Sequence, residues 1–158
     1  MRHIDIPHAV YLTGPVSITA AETSDVFSLK EYHAARIFVM AGALAVNMTT
    51  TVLKCTDAAG GTSAAIAFRY RETAAVGTDT MGAWAWATST GQALTGTTDN
   101  NIMIEILVES SELTPVSGVE YPYIKVTMTP ASGSACLVAC MAILEPRYAQ
   151  AIPPSAVD

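Results

Sequence analysis

Along Asn101–Glu109, NIMIEILVE, apolar and polar positions alternate. Ile102, Ile104, Ile106 and Val108 fall on one side, and Met103, Glu105, Leu107 and Glu109 on the other. Period two predicts a strand with one face in a core and the other partly wet. Val119–Pro130 repeats the pattern, with Ile124, Val126 and Met128 inward against Tyr123, Lys125, Thr127 and Thr129. Ile66, Phe68 and Tyr70 alternate with Ala67, Arg69 and Arg71, and Trp84 and Trp86 alternate with alanines in Ala83–Thr88. Met48–Thr56 reads as a further strand closed by the turn Asp57-Ala58-Ala59-Gly60-Gly61. The runs are β-branched and bounded by Gly, Pro, Asn or Asp, as strands are.

Val10–Thr13, Val16–Ala20 and Val26–Leu29 are shorter strand candidates, and Leu29–His33 suits one helical turn. Ala35–Val46, ARIFVMAGALAV, mixes helix-favouring alanines with Ile37-Phe38-Val39. It is expected to be a strand with a bend or bulge near Gly42. The total is about eight to ten short strands without βαβ alternation. The predicted fold is therefore all-β, an antiparallel jelly-roll-like β-sandwich. One domain spans 1–158, with an N-terminal arm or short strands over 1–24, the sandwich over 25–145 and an extended tail over 146–158. The tail, PRYAQAIPPSAVD, has three prolines and little core-forming pattern, so it should lie extended on something.

Residues 134–150, SACLVACMAILEPRYAQ, are unusual. On a strand, Cys136, Val138, Cys140, Ala142 and Leu144 share one face, while Ala135, Leu137, Ala139, Met141 and Ile143 share the other. Both faces are apolar. A sandwich strand needs cover on one side only, so the second side calls for an arm of the same chain or another subunit.

Composition sharpens that point. Of 158 residues, 51% are apolar and 14% charged, against roughly 25% charged in ordinary soluble domains. A spanning helix needs about 20 mostly apolar residues, and the charge-poor stretches are broken by Gly42, Gly82, Gly91 and Gly96. The opening MRHIDIPHAVYL has no signal-peptide core. The expectation is a soluble protein made in the cytoplasm, with no membrane partner. Net charge is −6, and basic residues are scattered except for Arg69 and Arg71. Nucleic-acid binding normally uses a clustered basic face, so no nucleic-acid partner is expected.

No chemistry-bearing constellation emerges. Cys136 and Cys140 would stand roughly 13 Å apart along a strand, too far to bond or to share a metal. Cys55 adds an odd third thiol, and buried free thiols are the expectation. His3, His8 and His33 lack ligand spacing. Glu105 and Glu109, also roughly 13 Å apart, exceed the ~5–9.5 Å of glycosidase pairs and read as solvated rim residues. Asp99-Asn100-Asn101 reads as a turn. Trp84 and Trp86 point the same way. They could stack sugars with Tyr121 or Tyr123, or bury area in the core or at a subunit contact. No enzyme, cofactor or metal is expected.

The order of several segments resembles a family of small tailed-phage virion proteins often encoded near the major capsid gene. VFSLKEYHAARIFVMAGALA (26–45) is similar to a strand, Leu-x-x-Tyr, then a strand ending in Gly-Ala. TTTVLKCTDAAGGTSAAIAF (49–68) resembles a Thr-Val-x-Leu hairpin with Thr-Asp and Gly. ESSELTPVSGVEYPYIKVTM (109–128) resembles a Glu-Leu turn before a Tyr-rich strand, and ILEPRYAQ (143–150) a Pro-Arg-Tyr terminus.

The resemblance implies a non-enzymatic β-sandwich on the virion, a capsid cement or decoration protein on the outer shell. Its partners would be the major capsid protein and further copies of itself, as a dimer or trimer. Expected partner contacts are Arg2, His3 and Ile4 in the arm, Trp84 and Trp86, and Arg147, Tyr148, Ile152 and Pro153 in the tail. A tail, connector or fibre component is the alternative within the virion. A carbohydrate-binding module using Trp84 and Trp86 is the alternative of another class.

Overall fold

A computed structural model describes residues 7–148 and 154–157. Arg2, His3, Ile4, Ile152 and Pro153, five of the expected contacts, lie outside the described residues. The fold is an all-β sandwich of two antiparallel sheets. Its strands are β1 (His8–Ile18), β2 (Glu22–Thr23), β3 (Phe27–Ser28), β4 (Tyr32–Leu44), β5 (Met48–Cys55), β6 (Ser63–Ile66), β7 (Phe68–Glu72), β8 (Ala85–Ala87), β9 (Gln92–Leu94), β10 (Ile102–Glu109), β11 (Tyr123–Pro130) and β12 (Cys136–Pro146). A single 3-10 turn, Ser110–Glu112, follows β10.

The larger sheet runs β1-β12-β4-β10-β7-β8. The smaller runs β2-β11-β5-β6, with β3 also on β11 and β9 also on β5. The pairings are nested: β1 with β12, β2 and β3 with β11, β4 with β10, and β5 with β6. That is the order of a jelly roll, a long folded-back hairpin rolled into two sheets. β7 and β8 extend its larger sheet.

Between the sheets lies one core. Ile37 and Val39 of β4, Ile104 and Ile106 of β10, and Ile124 and Val126 of β11 are all fully buried. Phe27, Tyr32 and Phe68 are its largest fully buried rings. The inward face of β12 is Cys136, Val138, Cys140, Ala142 and Leu144, one of the two apolar faces the alternation separates. Cys55, Cys136 and Cys140 are free and buried, as expected. Burial pushes the Cys140 thiol up to about 12.

Several local expectations change. The segment expected as an arm or short strands enters the sandwich at His8: β1 is one eleven-residue strand paired with β12. Two register shifts, at Tyr11/Thr13 and Thr13/Val16, divide it where two short strands were expected. Leu29–Tyr32 is a hydrogen-bonded turn, Tyr32 N–H to Leu29 O at 3.2 Å, rather than helix. Ile66 and Phe68 stand in different sheets, because the chain crosses at Ala67 between β6 and β7. β2 and β9, of two and three residues, are too short to show a period.

The expected irregularity at Gly42 is present. Cys136 and Val138, two apart on β12, pair with Leu44 and Ala41, three apart on β4. The extra residue lies on β4, a bulge. A Cβ at Gly42 would stand 2.9 Å from Leu137 Cδ2, so the glycine leaves room for that side chain to lie across the strand.

Candidate interaction surface

The outward face of the larger sheet follows from the strand register. One row across it is Tyr11, Met141, Phe38, Glu105 and Arg71. The next is Ala9, Ile143, Arg36, Leu107, Arg69 and Trp86. A third holds Ala139, Met40 and Met103. Solvent normally faces a polar surface here. Instead Tyr11 is 69% exposed, Leu137 43% and Met40 38%. The second apolar face of β12 thus opens onto a wider apolar surface shared by β4 and β10. The described tail does not cover it: residues 155–157 lie at the sandwich edge, lining a cleft with His8–Tyr11.

Two depressions mark this face. One, of about 390 Å³, surrounds the β4 bulge and is lined by Pro15, Met40, Gly42, Met103, Leu137 and Ala139 among others. The other, of about 520 Å³, is lined by Pro7, His33, Arg36, Ile143, Glu145 and Pro146.

Five charges stand in the middle of the face, four of them on β7 and β10. Glu105, expected to be a solvated rim residue, is only 1% exposed. Arg36 Nε donates to its Oε1 at 2.7 Å, joined by Arg36 Nη2. Arg71 Nε and Nη2 both reach Oε2 at 2.6 Å. The carboxylate is buried because a guanidinium covers each oxygen, which is how an ion stays charged out of water. Arg69 pairs with Glu109 beside it. In the sequence the arginines stand two apart and the glutamates four apart, so each set shares one face of its own strand. Only the register of β7 on β10 brings them together.

Trp84 and Trp86 complete this edge. They are 44% and 63% exposed, so they are not core residues. Arg71 stands over the Trp84 ring at 4.7 Å and Arg69 over Trp86 at 5.8 Å. These cation–π contacts hold the indoles on the outward side. Tyr121 is buried beneath Lys54, and Tyr123 stacks with Lys30. Both belong to other surfaces, so no platform of Trp84, Trp86 and a tyrosine forms.

Arg147 and residues 154–156 lie back on the sandwich. Arg147 N–H donates to Glu31 O at 2.9 Å, its Nε to Tyr32 O at 3.1 Å and its Nη2 to Ser110 Oγ at 3.1 Å. Tyr148, by contrast, is 69% exposed. Tyr32 donates its hydroxyl to Pro154 O at 2.6 Å and accepts from His8 Nδ1, also at 2.6 Å. Ser28 N–H donates to Ala156 O at 2.8 Å, and Ala156 is buried against the core. The tail lies on its own chain at 154–157. Sequence reasoning missed this because PPSAV has no period.

Asp99–Asn101 forms the expected turn, with Asn100 Oδ1 accepting from Leu44 N–H at 2.7 Å and Asp99 Oδ2 from Thr95 N–H at 2.7 Å. Among the described residues no three His, Cys, Asp or Glu side chains are grouped to hold a metal. Nor is any helix there long and apolar enough to cross a membrane.

No protein-family model and no curated protein sequence matches this chain. Among solved structures it is similar to the SPBc2 prophage-derived protein YomS, at 13% identity and a TM-score of 0.43. The likeness spans 89% of this chain and 96% of that one.

Proposed function

We propose that this chain is a non-enzymatic structural protein of a tailed-phage virion, a capsid cement or decoration protein. It sits on the outer shell, self-associates and bridges neighbouring major capsid subunits. The observation that carries this reading is the outward face of the larger sheet, apolar across β12, β4 and β10 and lacking cover from the described tail. Contiguous apolar surface of this extent marks a place where another protein binds. The low charge content and the ordered virion-like segments of the sequence support it.

Mass action supplies the mechanism. A protein that binds only the assembled shell stabilises it by RT ln(1 + [L]/Kd) per site. Many modest sites then act together through linkage within one particle. Exposed Tyr148 is the described contact assigned to the shell, with Arg2, His3, Ile4, Ile152 and Pro153 beside it in the assignment by sequence alone.

The test is the copy number of the protein in purified virions, against the major capsid protein, by quantitative mass spectrometry. A ratio near one-to-one, or a simple fraction of it, supports a shell protein. A dozen copies or fewer places it at the portal, tail or fibre, and absence from the particle refutes the virion reading. The exposure of Trp84 and Trp86 favours a second reading, a carbohydrate-binding module. Glycan-array binding that is lost in a Trp84→Ala, Trp86→Ala double variant would support that instead.

A further inference from the structure

We infer that the outward face of the larger sheet pairs with the same face of a second copy of this chain across a two-fold axis. Charge points to this occupant. Arg36, Arg69 and Arg71 balance Glu105, Glu109 and Glu145 on the outward side of these strands, so the whole net charge of −6 lies elsewhere. All three guanidinium groups and two of the three carboxylates are already paired within the chain. A partner recognised by its own charge would need unpaired charges here. Two copies of an acidic protein repel one another wherever net negative surfaces meet. This balanced face lets them approach without that cost.

The size also fits. The six strands of the sheet hold about 50 residues. Each covers about 16 Å² of sheet, from spacings of ~3.3 by ~4.8 Å, giving about 800 Å². A stable interface of standard size buries about 800 Å² on each partner.

The relief of the face is self-complementary. Trp84 and Trp86 protrude at the β8 edge. The hollow around Gly42 lies roughly three strand spacings away, about 14 Å, towards β12. By register the hollow also lies about four residues, roughly 13 Å, along the strands from the indoles. A two-fold axis lying in the face and inclined to the strands sets the indoles of each copy over the hollow of the other. Both copies then use the same residues, as an isologous interface requires. Trp and Met are among the residues enriched at such interfaces.

The pairing gives a location to the self-association proposed above, yet it is a property of the purified chain. Copy number in virions tests the capsid role and the dimer tests this inference, so either can fail alone. Sedimentation equilibrium of the full chain should give about twice 16.6 kDa. A Met40→Glu, Leu137→Glu double variant changes two exposed positions. It should weaken association on the order of 100-fold while keeping the wild-type circular dichroism spectrum.

Trp84 and Trp86 are the only two tryptophans and both lie on this face, so a readout exists without any variant. Their fluorescence should shift to the red as dilution dissociates the dimer. A monomer throughout the concentration range, a trimer, a dimer that survives in the folded double variant, or emission unchanged through dissociation would each overturn the inference.

Discussion

Arg71 brings two nitrogens to one oxygen of Glu105, Nε and Nη2 both at 2.6 Å, on a carboxylate that stands on the outward side of its strand yet is only 1% exposed. With Arg36 on the other oxygen, this group ties β4, β10 and β7 together. Glu105→Ala leaves two guanidinium groups facing one another. Their side chains are 40% and 27% exposed, so water offsets part of the loss. A cost of about 2 kcal/mol is expected, below the 3–5 of a fully buried pair. Chemical denaturation at one fixed protein concentration checks it, and an unchanged midpoint would remove the structural role of this carboxylate.

Thr50 lies on the inward side of β5 and is fully buried, and its hydroxyl has no hydrogen-bond partner. An unsatisfied buried hydroxyl costs roughly 1–3 kcal/mol. Thr50→Val keeps the branched shape and removes that hydroxyl. It should stabilise the fold by about 1 kcal/mol, read as a higher denaturation midpoint with an unchanged slope.

Burial raises the Glu72 carboxyl above its usual range, and nearby Asp99 adds to the rise, although Gln92 donates to Glu72 Oε1 at 2.6 Å. A carboxyl with a raised folded pKa binds its proton more tightly in the folded state. Stability therefore falls as pH rises from the unfolded value through the folded one, and stays lowered above it. Glu72→Gln should be more stable than the parent at pH 7. The advantage should fade below the ordinary glutamate pKa, where both states of the parent are protonated. Paired denaturation curves across this pH range measure it.

Removing residues 154–158 takes away the acceptor for the Tyr32 hydroxyl and the buried Ala156. The truncation should lower stability by about 1–3 kcal/mol and speed amide exchange at Ser28, whose N–H loses Ala156 O. Exchange rates by mass spectrometry test this directly. Loss of shell binding in a longer deletion is interpretable only beside this control, because the tail's end belongs to the chain's own core.

Wherever one face of a strand meets the core and the other meets something different, period two was readable. β10 and β12 were recognised with nearly their full bounds, β11 with four residues too many at its start, and the two faces of β12 were separated correctly. The bulge at Gly42 was readable too, because glycine within an apolar strand marks a departure from the pleat. What escaped depends on register between distant segments. Glu105 alone looks solvated, and its burial comes from Arg36 and Arg71, which only pairing brings near. Ile66 to Tyr70 alternates without interruption, so nothing in the pattern reveals that the chain changes sheet at Ala67. The indoles posed a similar difficulty. Alternation showed that Trp84 and Trp86 share a side, but an edge strand facing outward and one facing the core have the same spacing.

The nested pairing of β1 with β12 also bears on synthesis. His8 faces Leu144 across the sheet, so the first strand emerges long before the last exists. At roughly 5–20 residues per second, β1 waits on the order of ten seconds for β12, its one neighbour in the sheet among the described residues. Loops this long also slow the closing step itself. Through that interval the nascent chain exposes unpaired strand edges, a state that chaperones guard against aggregation. The larger sheet can close only once β12, ending at Pro146, has been made.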